Sequence, residues 1–396
     1  MFEEEKEEYH VSETTDLTKL AKKRVTRRTF LMGVAGSAAL GVFGFNVAGC
    51  ASAPAPTPTP GAAATKAPGA APAAGAGAAP KYAGRTLRVM LNGGFFEETV
   101  RGSIIASFEK KYGAKVETVP ANSGEMLTRV RAEKASPTVD VCLIDDMVAV
   151  SAIGEGLFEK IDPANMPNLK DLDKQALDPQ GYGPVVHTNV ITFAYNKDLV
   201  KVDPPKSWAE LWDSKYKEML AISAINLTPG VLFLLQAALL NGGGYENIDP
   251  GFEALKRIKP NIRKWFKEIG EVRPTVDKEP VFGAFGLNVW QDEIGKGIPL
   301  VVVHPQEGPH GLSAMGQVVK GSKNKDLAEL FIDEYISPEG GAAISSKLFF
   351  KTFNTKTQLS AETKKIIPEK VQLFDPYKIA KYREEWTARW LREIGG

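Results

Sequence analysis

Cysteine is nearly absent from this chain: 396 residues hold two, Cys50 and Cys142. Histidine is scarce, with four in all. Beyond the N-terminal region it occurs as His187, His304 and His310, and no two of these have the spacing of a zinc-ligand pair. No glycine-rich phosphate loop and no nucleophile elbow is found. Excess charge is missing too: the net charge is +1, which provides no broad field for nucleic acid. These absences argue against a disulfide-stapled scaffold, a clustered-histidine hydrolase and a nucleic-acid partner. No catalytic residue, metal site or cofactor is expected. Cys142, inside Val141-Cys142-Leu143-Ile144, reads as a small buried hydrophobe.

One long apolar run is present, Leu31 to Ala48. Thr26-Arg27-Arg28-Thr29-Phe30-Leu31-Met32 opens it, and Val47-Ala48-Gly49-Cys50 closes it. An uncleaved membrane anchor is the rival reading, but five glycines between positions 33 and 49 weaken it, because each lowers helix propensity by about 1 kcal/mol. The basic pair Arg27 and Arg28 resembles a twin-arginine export signal, and Cys50 resembles the lipidated cysteine of a lipoprotein. Residues 1–49 are therefore expected to be a signal peptide and residues 50–83 an Ala/Pro-rich disordered linker. The mature protein is expected outside the cytoplasm, in the periplasm or on the outer cell surface, held to the membrane by lipid on Cys50. A lipidated Cys50 leaves Cys142 without an intramolecular disulfide partner.

The remaining 300 or so residues exceed one compact unit, so two lobes are expected. Leu87–Leu91, Lys115–Pro120 and Val139–Ile144 read as strands. Between them lie helices carrying Ile104, Ile105, Phe108 and Tyr112, then Met126, Leu127 and Val130. Gly113 is placed to end the first helix. This βαβαβ order implies a parallel sheet whose ligands sit beyond the carboxyl ends of its strands, at 92–96, 121–123 and 145–146. A second α/β unit begins near Val190–Asn196. Ser207 is expected to cap a helix carrying Trp208 and Trp212. Pro229 suits the first turn of an apolar helix, Val231–Leu240, whose N–H groups favour an anion or a carbonyl oxygen. That helix is too short to span a bilayer.

Several segments then resemble a known family. They are Ile153-Gly154-Glu155-Gly156-Leu157, Ala194-Tyr195-Asn196-Lys197, Pro205-Lys206-Ser207-Trp208-Ala209-Glu210-Leu211-Trp212, Pro305-Gln306-Glu307-Gly308 and Lys320-Gly321-Ser322-Lys323-Asn324. In this order they are similar to the extracellular solute-binding proteins of ABC importers, in the spermidine/putrescine-binding-like group. The resemblance implies an α/β, two-lobed periplasmic-binding-protein fold of type II character, with central sheets flanked by helices. It implies hinge crossings near Thr188–Ile191 and Leu312–Gly316. Lobe 1 would hold 84–188 and 313–350, and lobe 2 would hold 189–312 and 351–396. It implies a monomer, not an enzyme, working with a small solute and with permease and ATPase subunits.

The positions that line the cleft in that family hold here Gly93, Gly94, Phe95, Ser123, Asp146, His187, Thr188, Asn226, Thr228, Phe285, Asn288, Glu307, His310 and Ser313. Where the family carries a Trp-x-Asp this chain has Leu312-Ser313-Ala314, and no acid stands at Asn226–Gly230. A buried dication without counter-charges costs several kcal/mol. A neutral or anionic solute, carrying a carboxylate or phosphonate, is therefore expected at the Thr228–Val231 helix start. A polyamine is the alternative ligand. A ligand-sensing lipoprotein and a metal-ion binder are the alternatives of other classes, although a ferric site would want adjacent tyrosines and no Tyr-Tyr pair occurs.

Overall fold

A computed structural model describes residues 81–395. The twin-arginine motif, Cys50 and nearly all of the expected linker lie outside the described residues. Among the described residues no helix is long and apolar enough to cross a membrane.

The first lobe begins with β1 (Thr86–Leu91), then α1 (Phe95–Val100), which runs through a π turn (Arg101–Ile105) into α2 (Ala106–Tyr112). Ile104, Ile105 and Phe108 are buried on one face, as their spacing predicts, and Gly113 ends the run with φ 73°. Next come β2 (Lys115–Pro120), α3 (Ser123–Ala132), β3 (Val141–Asp145), α4 (Asp146–Gly154) and β4 (Phe158–Glu159). α3 starts with a reciprocal capping box between Asn122 and Glu125. β1 pairs in parallel with both β2 and β3, so the loops after β1 and β3 share one edge.

The chain then enters β5 (Val185–Asn196), β6 (Leu220–Ser223), α5 (Thr228–Leu240), α6 (Asp249–Ile258) and β7 (Ile262–Phe266). There follow α7 (Val272–Lys278), β8 (Phe282–Gly286), α8 (Leu287–Gly295) and β9 (Leu300–Val303). The chain ends with β10 (His310–Val319), α9 (Lys325–Tyr335), α10 (Pro338–Leu348), α11 (Ala361–Ile366) and α12 (Pro376–Glu393). The expected Trp208–Trp212 helix is only a 3-10 turn, Ala209–Trp212. The Ser207 hydroxyl still caps it, accepting from the Glu210 N–H at 3.3 Å.

Strand order is β2-β1-β3-β10-β5-β8-β6-β7, with β4 on β10 and β9 on β5. The two long strands β5 and β10 join the lobes. They run antiparallel, with Ser313 opposite Thr188 and His310 opposite Ile191. Toward lobe 1, β10 pairs with β3; toward lobe 2, β5 pairs with β8 and β9. Each lobe has its own core. Phe108, Phe331 and Tyr335 anchor the first, and Trp208, Phe233, Trp386 and Trp390 the second.

A third crossing follows α10. Lys351 exchanges two backbone hydrogen bonds with Thr188, both 2.8 Å. The switch to lobe 2 comes later than residue 351. Phe353 still packs in the first core, and Thr355 donates its N–H to the Asp171 carbonyl. Gln372 then bridges to His310 and α12 packs on the second lobe.

Candidate functional site: the interlobe cleft

The edge after β3 carries the most strongly perturbed groups of the cleft. Asp145 ends the strand and Asp146 opens α4. The Asp145 N–H donates to the Ser123 hydroxyl at 3.1 Å, joining the α3 start to this edge. Asp146 is buried, and its Oδ1 accepts from the Met147 N–H at 2.7 Å. Burial, then the adjacent Asp145, pushes the Asp146 carboxyl up to about 8. Burial also raises Asp145, while Ser123 and Arg383 pull it down.

Arg383 was missed from the sequence. It stands on α12, which packs against α4 across the lobes. Burial lowers its pKa, and Asp145 and Asp146 oppose that shift. Yet Arg383 makes no ion pair within 4.0 Å among the described residues. Arg383 is thus near enough to both acids for their charges to act on it, without an ion pair to either. The sequence signal for Arg383 is only one basic residue in a helix rich in them; its partners are some 240 residues away.

The other expected residues divide into groups. Gly93, Phe95 and Asn288 line one cavity of about 540 Å³, with Phe96, Phe350 and Arg273. Asp146 and Ser313 line another of about 490 Å³, with Asp178, Phe374, Asp375 and Tyr377. Gly94 is exposed and supplies the turn into α1 with φ 69°. Phe95 is 59% exposed. The neighbouring Phe96, not singled out from the sequence, is the ring that meets His187, at 5.3 Å.

His187 is buried in an aromatic stack with Phe350, rings 4.7 Å apart and 14° from parallel. Its Nδ1 pairs with the Tyr335 hydroxyl at 2.8 Å. Burial drives its pKa to about 3, so the ring is neutral. The Thr188 and Ser313 hydroxyls bond to each other at 2.8 Å inside the strand pair. Glu307 accepts from the Trp208 N–H at 3.2 Å and so shapes the turn that holds Trp208.

Two of the expected positions are buried. His310 has no exposed surface: it stacks on Trp208 at 3.8 Å, and neither ring nitrogen has a partner. It is a packing ring, because the indole plane occupies its face. The first turn of α5 is buried, behind an exposed Asn226 and a half-buried Leu227. Thr228, Pro229, Gly230 and Val231 are buried, and a Cβ at Gly230 would lie 2.1 Å from the Ala224 carbonyl oxygen. Asn226 points its amide elsewhere, donating to the Lys267 carbonyl at 2.7 Å.

Phe285 lies against Trp290 in the second lobe. Immediately after it, Gly286 makes room for two carboxamides. A Cβ there would lie 2.6 Å from Asn288 Oδ1 and 2.8 Å from Asn189 Nδ2. Both Oδ1 atoms are buried without a hydrogen-bond partner among the described residues. No group of three or more metal-ligating side chains occurs among the described residues.

Two lobes joined by long strands, with a cleft at the strand ends, define a periplasmic-type binding protein. A family model described as bacterial extracellular solute-binding protein matches residues 103–369, more than half of the chain. The chain belongs to this family, the solute-binding proteins of ABC transporters. The spermidine/putrescine-binding periplasmic protein of Salmonella typhimurium is 25% identical over 274 residues, 65% of this chain and 75% of its own length. The gamma-aminobutyric acid-binding protein of Pseudomonas aeruginosa is 24% identical over 284 residues, covering 68% and 77%. Among solved structures, an ABC transporter protein from Clostridium perfringens aligns with TM-score 0.68 at 23% identity, covering 78% of this chain and all of that one.

Proposed function

We propose that this protein is a lipid-anchored, extracytoplasmic receptor that captures a short zwitterionic solute and delivers it to a permease and ATPase for import. The solute carries a carboxylate or phosphonate at one end and an ammonium at the other. The observation that supports this reading is Arg383 on α12, which packs against α4 and brings it under the charge of Asp145 and Asp146 without an ion pair to either. A ligand with both charges would set its anion on Arg383 and its ammonium on the acid pair, whose members share the negative charge, in two charge-assisted contacts, each roughly twice as strong as a neutral hydrogen bond. A relative whose name records gamma-aminobutyric acid binding agrees with this chemistry.

A polyamine is the second reading. The cavity lined by Asp146, Asp178 and Asp375 favours it, because those carboxylates surround the aromatic Phe374 and Tyr377. Calorimetry separates the two. Short ω-amino acids or aminoalkylphosphonates are expected to bind at micromolar levels, with at least ten-fold weaker binding by Arg383→Gln. Micromolar putrescine binding that Arg383→Gln leaves unchanged would overturn the zwitterion reading. The anchor has its own test. Cys50→Ser is expected to move the protein from the membrane fraction to the soluble one, and retention would sink the lipid anchor.

A further inference from the structure

Away from the cleft, the third crossing encloses a cavity of about 570 Å³. Its wall includes Lys351, Lys364 and Lys365, against the single carboxylate Glu369. None of the three lysines makes an ion pair among the described residues, whereas nearby Lys356 is paired with Asp171. Lys351 directs its Nζ to the Glu369 carbonyl oxygen at 2.8 Å, and burial lowers its pKa. Hydroxyls complete the lining. Ser345 is fully buried and lies 3.2 Å from the Thr352 hydroxyl, and the Thr357 hydroxyl is buried with no partner. Gly341 on α10 lets these threonines approach, since a Cβ there would sit 2.8 Å from Thr357 Oγ1 and 3.1 Å from Thr352 Oγ1.

We propose that this cavity is a second binding site, for a multivalent oxyanion of the phosphate class. Three ammonium groups against Glu369 and the nearby Asp173, which also acts on Lys351, leave a local excess of positive charge. The unpartnered Thr357 hydroxyl beside it supplies a short donor, and a phosphate-type ligand satisfies both kinds at once. A carboxylate-only ligand satisfies fewer of these donors, and an apolar one leaves the charges uncompensated. The site is independent of the cleft solute. It lies on the segment whose Lys351 is hydrogen-bonded both ways to Thr188 of the hinge strand, so its occupant would sit beside the joint between the lobes.

The probe is inorganic pyrophosphate, titrated into the mature protein by calorimetry at low and at moderate salt. Saturable binding that weakens as salt rises is expected. In Lys364→Gln/Lys365→Gln the affinity falls at least ten-fold while cleft-solute affinity and melting temperature stay at wild-type values. Arg383→Gln leaves pyrophosphate binding unchanged. Equal pyrophosphate affinity in the lysine variant and the wild type would overturn the proposal. So would loss of binding in Arg383→Gln, which would place the anion in the cleft. Absence of saturable heat overturns it as well, whatever the cleft proves to bind.

Discussion

Asp146 shows how one side chain ties stability to pH. Its folded-state pKa of about 8 lies far above the ordinary value near 4, because the charged form is buried beside Asp145. Between those pH values the folded state holds a proton that the unfolded state has released. Stability from this group therefore falls as pH rises through the window. Its cost is fully present above pH 8 and absent below about 4. Asp146→Asn keeps an acceptor for the Met147 N–H and removes the charge. It is expected to melt several degrees above wild type at pH 9, at roughly 2–4 °C per kcal/mol, and to converge with wild type near pH 4. His187 and His310 act the other way: both are driven to about 3, so their neutral burial loses stability as pH falls below about 6.5. Both forms share those histidines, so the difference between the two melting curves isolates Asp146. Parallel curves from pH 4 to 9 would refute the assignment.

At the scale of elements, β10 depends on a close backbone approach. Gly316 donates its N–H to the Pro184 carbonyl, and the Gln317 amide donates to the Gly183 carbonyl at 3.1 Å. This stitches the loop before β5 onto the returning strand. A Cβ on Gly183 would stand 1.6 Å from the Gly316 carbonyl oxygen, a rigid backbone atom that cannot turn aside. Gly183→Ala is expected to cost more than about 3 kcal/mol, because either the loop or the strand must move. Denaturant titration measures it; a loss below about 1 kcal/mol would show that the approach is not constrained. Another element, α12, works across the lobes. Trp386 and Trp390 bury it in the second core, and Tyr377 at its start donates to Asp178 of the first lobe at 2.6 Å. The same helix carries Arg383, so the packing of two tryptophans fixes the position of a charge opposite α4.

For the whole molecule, three segments cross between the lobes: β5, β10 and the stretch that begins with Lys351. Antiparallel strands of this kind bend without losing their ladder, and separate cores let each lobe move as a body. A solute held between Arg383 and Asp145–Asp146, as proposed, would favour a closed arrangement of the lobes over an open one. Solution scattering is expected to show a smaller radius of gyration with saturating solute than without. An unchanged radius under confirmed saturation would refute hinge closure as the response.

Sequence by itself determined the local grammar. Strand and helix order, the Gly113 stop, the buried face of α2 and the cap from Ser207 follow from periodicity and from residues with few backbone options. The family segments determined the two-lobed class. The edge loops after β1 and β3 were legible because parallel βαβ order fixes which ends share an edge. Tertiary structure alone decided the rest. His310 became a packing ring because Trp208, about a hundred residues earlier, lies flat against it. Phe96 rather than Phe95 met His187 because the helix start turns one ring inward and leaves the other in solvent. Arg383 came under the charge of Asp145 and Asp146 only because α12 packs onto α4. Spacing along a chain reports neighbours within a turn or a strand. A charge pair assembled from opposite ends of the fold depends on how the cores pack, and no local pattern carries that information.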